Sequence, residues 1–199
     1  MTAAGIIALL ALAVTVASLV WLHLQPTGLS AVRNSVSQYG ITSFRAGYRA
    51  ATIAFGAAGL ALAAGISQAI GGRALVAVTL LVVFAVTRAA ISWFPMDAPG
   101  AKPTRAGKMH FLLAFVAFLS VLAAASVLGA VLSGQGRWHE LAPVSVALGY
   151  AMAACLAMFG LAQTLPALRA RSGAIERGFY LFAIAWSAVF AAACAAGIR

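Results

Sequence analysis

Acidic residues are nearly absent from this chain. Asp97, Glu140 and Glu176 are the three among 199 residues, against thirteen Lys and Arg and three His. Charged residues make up only 8% and hydrophobic ones 64%, with a mean hydropathy of +1.02, so there is more apolar surface than a soluble core of this length buries. A soluble domain is excluded and a membrane protein is expected. In a soluble domain the net charge of +10 would point to nucleic acid. Here the cations fall in short connections, where their use is orientation, and no nucleic-acid partner is expected.

The signatures of common chemistries are missing too. HExxH, CxxC, GxSxG and phosphate-binding glycine loops do not occur. Three histidines and three acids make a multi-histidine zinc site hard to assemble. His139 lies at the wrong end, which leaves His23, His110 and Asp97 as the one trio that could meet, and no metal site is expected. Cys155 and Cys194 sit at depths differing by roughly 9 Å in separate spans, so no disulfide is expected.

What the chain does have is six continuous apolar stretches, near residues 4–24, 48–70, 74–94, 109–133, 143–165 and 178–198. Each has roughly the 20 residues that a helix needs to cross about 30 Å of hydrocarbon. They are unbroken rather than alternating, which predicts helices and not a barrel. The first lacks a basic leader and is long for a signal peptide, so it reads as an uncleaved span. No linker is long enough to separate domains. The expected fold is an all-α membrane protein, residues 1–199 forming one polytopic domain, a six-transmembrane-helix bundle.

A weak internal echo runs through it. "WLHLQPTG" (21–28) and "WFPMDAPG" (93–100) close the first and third spans, and "RAGYRAATIAF" (45–55) and "RAGKMHFLLAF" (105–115) open the second and fourth. "RGFYLFAIAW" (177–186) opens the sixth in a related way. Taken as a true repeat, this predicts three parallel helical hairpins. Gly56, Gly59 and Gly65 predict close helix packing within the bundle, or alternatively a dimer face. In the longest loop, Leu29, Val32, Val36 and Tyr39 recur at helical spacing opposite Ser30, Arg33, Asn34 and Ser37, which predicts a short interfacial helix after the first span.

Charge sets the expected orientation. Arg33, Arg45, Arg49, Lys102, Arg105, Lys108, Arg169, Arg171 and Arg177 fall on one side, and Arg73, Arg137 and Arg199 on the other. The positive-inside rule then places both termini outside the cytoplasm. A chain so small and alanine-rich reads as a multi-pass protein of a bacterial inner membrane.

Arg88 is the exception, placed seven residues before Pro95 inside the third span. That puts its Cα roughly 10 Å deep, beyond what snorkelling alone recovers. An unpaired central arginine costs about 2.5 to 3.5 kcal/mol on insertion scales, so a compensating group is expected. On its own side of the membrane lie Asp97, His110, His23, Ser35, Ser37 and Tyr39. Asp97 is the best counter-ion, because Glu140 is at the opposite end and Glu176 stands among Arg169, Arg171 and Arg177. The alternative is a brace held by helix carbonyls and water.

The six spans, "NSVSQYG", "FPMD" and "TRAGKMH" resemble an uncharacterised integral-membrane family, domain of unknown function 998, over nearly the whole chain. The resemblance implies a six-helix bacterial membrane protein with a polar site built from these segments and no established activity. By position it would carry over Ser35, Ser37, Tyr39, Arg88, Asp97 and His110 as the site.

The expected function is binding or transport of a lipid or other hydrophobic or anionic ligand, with an anionic or polar headgroup, in a one-sided cavity lined by these residues and His23, with Arg88 at its floor. One alternative is a lipid-modifying enzyme, with Asp97 or His110 as base and Arg88 steadying negative charge. Another is a structural subunit of a membrane complex. A third is a b-type haem protein using His23 and His110, although no cofactor is expected. Membrane lipid is the expected partner, and a homo-oligomer or a membrane-complex partner stays open.

Overall fold

The helices begin and end where backbone chemistry requires. In a computed structural model, which describes residues 2–162 and 164–198, α1 (Ala3–His23) starts behind Thr2, whose hydroxyl accepts from Gly5 N–H at 3.4 Å. The second helix, α2 (Arg45–Ile70), stops at Gly71, where φ is 69°. One turn later α3 (Leu75–Ala90) begins, and it ends through a short 3-10 turn at Phe94, extended because Pro95 follows. Thr104 opens α4 (Arg105–Leu132), accepting from Gly107 N–H at 3.0 Å. Pro143 sits in the first turn of α5 (Ala142–Leu161), where its missing N–H costs nothing. A single turn, α6 (Pro166–Arg169), leads to α7 (Ser172–Ala196), which a left-handed Gly197 closes. No strand occurs among the described residues.

Two boundaries differ from expectation. α7 begins at Ser172 and not near 178, so Glu176 and Arg177 belong to the helix. The expected interfacial helix is a 3-10 turn, Val36–Ile41, which buries Val36 and Tyr39 but leaves Val32 exposed. Asn34 is the reason, because its side chain accepts from Ser30 N–H at 2.8 Å and closes a local turn in place of a helix.

Five helical stretches are long and apolar enough to cross a membrane: Ala3–His23, Arg45–Trp93, Arg105–Leu132, Gly136–Leu161 and Ser172–Ala196. The second, of 49 residues, doubles back at Gly71–Ala74, so that α3 lies along α2 with Gly56 against Ala85 and Ala89. Each long helix packs on its neighbours in the chain, and α7 closes the ring against α1 while also touching α2. The expected hairpin pairs are therefore not set apart from the other neighbouring pairs. Small residues allow the approach: Gly5 lies against Ala191 and Ala195, Gly59 against Phe84, Gly65 against Cys194 and Gly129 against Val146. Cys155 and Cys194 are both buried free thiols.

The core holds Leu62, Ile66, Leu81, Phe84, Val121, Leu128, Trp186 and Phe190. Ile7, Leu10, Val76, Val86, Phe111, Phe115, Tyr150 and Leu181 stand exposed on the outer faces. A soluble bundle keeps polar residues outside. Apolar side chains on both the inner and outer faces make this a multi-pass membrane protein.

The antiparallel ring gathers residues 24–44, 94–104 and 164–171 at one end. Ala174 N–H donates to Val32 O at 3.0 Å, Ser35 Oγ lies 3.9 Å from Met96 Sδ, and Arg49 reaches Ser92 O at 3.5 Å. The nine cations expected on one side belong to this end, in its loops and in the adjoining turns of α2, α4, α6 and α7. Arg73 is at the other, bonded to Gln135 at 2.9 Å, and Arg199 lies outside the described residues.

Candidate functional site

Arg88 enters the site from the last turn of α3 and is only 2% exposed. Its compensation comes from tyrosines. An Nη2–H donates to Tyr180 Oη at 2.8 Å, and the guanidinium carbon lies 5.2 Å from the Tyr180 ring and 5.9 Å from the Phe55 ring. The negative faces of both rings attract the cation, and no carboxylate is bonded to it. The Nε atom has no hydrogen-bond partner. The expected pairing with Asp97 is not made, and the acid close enough to act on Arg88 through space is Glu176. Arg88 lines none of the three cavities described below, so it is not the floor of the site.

Asp97 instead holds the entry to α4. Its carboxylate accepts from Thr104 Oγ at 2.7 Å and from Thr104 N–H at 3.0 Å. Those two bonds, the hydroxyl first, keep its pKa below the usual aspartate value of 3.8. Gly107 leaves the space that the carboxylate occupies, since a Cβ there would collide with it.

His110, one turn further along α4, is 5% exposed. Its Nδ1–H donates to Phe94 O at 2.7 Å, so the neutral ring bares a lone pair on Nε2, which has no partner. Tyr48 stacks on the ring at 6.5 Å between centroids, and the Tyr48 hydroxyl shares a 3.4 Å hydrogen bond with Ser37. Glu176 is 4% exposed and accepts from Val36 N–H at 2.9 Å, tying α7 to the loop after α1.

Asp97, His110 and Glu176 border a cavity of about 440 Å³ that opens on the outer face of α4, where Phe111 and Phe115 are exposed. Its polar end is formed by Ser35, Ser37, Asp97, His110 and Glu176, and its walls by Phe111, Phe115, Phe118, Leu156 and Phe159 of α4, α5 and α7-facing surfaces. A smaller cavity of about 90 Å³ adjoins it, sharing Ser37, Met96 and His110 and adding Arg45, Tyr48 and Arg49. The arrangement resembles an amphiphile site, a long apolar slot with a polar end.

Of the residues expected in one site, Ser35, Ser37, Asp97 and His110 do meet there. His23 and Tyr39 do not. His23 donates from Nδ1 to Leu19 O at 2.6 Å, accepts at Nε2 from Arg177 Nε–H at 2.7 Å, and has the Tyr39 ring 5.4 Å away. It lines a separate cavity of about 340 Å³ between α1 and α7. His23 and His110 thus border different cavities, and no group of three metal-ligating side chains forms among the described residues. Glu176, Tyr48 and Tyr180 were not foreseen. Their signal was helical spacing, since Glu176 and Tyr180 are four residues apart and share a face once α7 starts at Ser172.

A family model described as "Protein of unknown function (DUF998)" matches residues 6–193. The chain belongs to the DUF998 family. No curated protein and no solved structure matches it. For this DUF998 chain the functional argument therefore rests on the site's own chemistry.

Proposed function

We propose that this DUF998 protein binds a lipid-like amphiphile in the 440 Å³ cavity beside α4, with the tail among the phenylalanines and the head at the Ser35, Ser37, Asp97, His110 and Glu176 end. The observation that carries this reading is the buried Nε2 of His110, left without a partner where an apolar slot meets a polar rim. A bound head that reached it would relieve an unsatisfied lone pair. The test is native mass spectrometry of the purified protein. A lipid-like molecule should be retained by the wild type and lost in Ala114→Trp, which fills the slot. A wild type that carries no such molecule, or a variant that retains it, would count against the reading.

A second reading, an enzyme acting on that ligand, is favoured by the orientation of His110. With Nδ1 held by Phe94 O, its Nε2 is disposed as a general base. Incubation with the co-purified ligand should then yield a product in the wild type and none in His110→Gln, and unchanged ligand in both would end this reading.

The membrane reading extends further within the same proposal. The doubling back of α2 onto α3 supports six passes. The nine cations at the cavity end support a cytoplasmic position for that end and an extracytoplasmic position for both termini, in a bacterial inner membrane. Reporter fusions with a cytoplasmic C-terminus would overturn the orientation.

A further inference from the structure

We infer that the head of the amphiphile donates hydrogen bonds and carries no negative charge, an alcohol or an amine on an apolar tail. This rests on the ligand-binding reading above and favours the polar over the anionic headgroup. The polar end of the larger cavity is dominated by acceptors, the carboxylates of Asp97 and Glu176 and the unpartnered Nε2 of His110, beside the Ser35 and Ser37 hydroxyls, which donate or accept. Neither lysine nor arginine lines it. An anionic head would therefore meet two carboxylates with no cation facing it, whereas a hydroxyl or ammonium would find lone pairs already in place.

The buried and half-buried cations nearby are committed elsewhere, and Lys108, close enough to act on Asp97, is exposed and does not line the cavity. Arg88 is turned toward Tyr180 and the rings of Phe55 and Tyr180, and Arg177 is bonded to His23, Asn34 and Gly173. Arg45 and Arg49 line the smaller cavity, but both are exposed to water, and Arg49 reaches Ser92 O and lies 5.8 Å from the Trp93 ring. Solvent screening weakens what they could offer an anion. The α5 wall also has a place for a plug, in the last turn of that helix beside the loop end. Gly160 lines the cavity, and a Cβ there would meet nothing within 4 Å.

The experiment uses the full chain in phosphatidylcholine nanodiscs and follows its thermal midpoint with dodecan-1-ol, dodecylamine or dodecanoate. The alcohol and the amine should raise the midpoint of the wild type and not of Gly160→Phe, while dodecanoate should raise neither. His110→Phe removes the Nε2 lone pair together with the bond to Phe94 O, and should weaken the alcohol and amine by about tenfold, the loss of one good hydrogen bond. Glu176→Gln should weaken the amine more than the alcohol. A dodecanoate effect as large as theirs, lost in Gly160→Phe or dependent on Arg45 and Arg49, would overturn the head assignment while leaving the cavity reading intact. Probes that shift the wild type and Gly160→Phe alike, or that shift neither, would remove the cavity reading and this inference with it.

Discussion

At the end of the bundle that holds Thr2 and Ile198, the chain closes on itself directly. Thr2 Oγ–H donates to Cys194 O at 2.8 Å, Trp138 Nε1–H donates to Ile198 O at 3.0 Å, and Gly5 lets α1 rest on the backbone of α7. At the other end three loops meet, and there the fit is incomplete. The three buried side-chain atoms without partners among the described residues, Arg88 Nε, His110 Nε2 and Arg177 Nη2, all belong to that half, as do the cavities lined by His110. Small residues at the first end maximise backbone contact. The second end has close approaches as well, such as Gly173 against Asn34 and Ala31, but its buried polar side chains do not satisfy every donor and acceptor. The contrast separates an end closed by backbone contact from an end that keeps unpartnered polar atoms and open cavities.

The contrast can be broken most forcefully at Gly5. A valine there would drive its Cβ into Ala195 N and into Ala191 O, 2.7 Å away, and helix backbone cannot step aside as a side chain can. Gly5→Val should destabilise by about 3 kcal/mol, read as a fall in thermal midpoint and folded yield. Gly160→Val at the loop end, with open space around it, should cost less than about 1 kcal/mol. Equal effects at the two sites would show that the ends are packed alike.

A smaller effect is expected inside the loop end itself. In a double-mutant cycle, Arg88→Leu and Tyr180→Phe should couple by about 1.5 to 3 kcal/mol, the worth of a hydrogen bond to a charged group. Arg88→Leu and Asp97→Asn should add to within about 0.5 kcal/mol, because they share no partner. Strong coupling of Arg88 to Asp97 in unfolding measurements would restore the ion pair that the geometry replaces.

The smallest effect belongs to Asp97. Its folded pKa lies below 3.8 because Thr104 donates twice to the carboxylate, so the stability it contributes is fully present above that value. It is lost as pH falls through the lowered folded pKa. The advantage of wild type over Asp97→Asn should thus be constant near neutrality and shrink in acid below 3.8, followed by hydrogen exchange at the start of α4. An advantage that grew in acid would contradict the two Thr104 bonds.

Much of the fold was legible because lipid permits few solutions. Long unbroken apolar runs have to satisfy their own backbone groups, so α1, α2, α4 and α5 fall within a few residues of the expected spans. The site was legible only in part. Ser35, Ser37, Asp97 and His110 were placed at one end by chain order alone, and they do line one cavity. Glu176 was read as a loop residue because hydropathy falls near Arg177, yet the helix continues through both and carries Glu176 into the interior. His23 shared the same depth and end, but the ring of helices turned it to the outer side of α7.

The sequence by itself determined a helical membrane protein with polarity concentrated at one end, because apolar run length and loop charge are one-dimensional properties that lipid and water read directly. Only the tertiary structure decided which polar groups face one another. Direction around a helix and the order of helices around the ring set whether Arg88 meets Asp97 or Tyr180, and whether His110 finds a partner or an empty slot. Those choices depend on distances of a few Å between residues as far apart in the chain as Arg88 and Tyr180, and no local pattern records them.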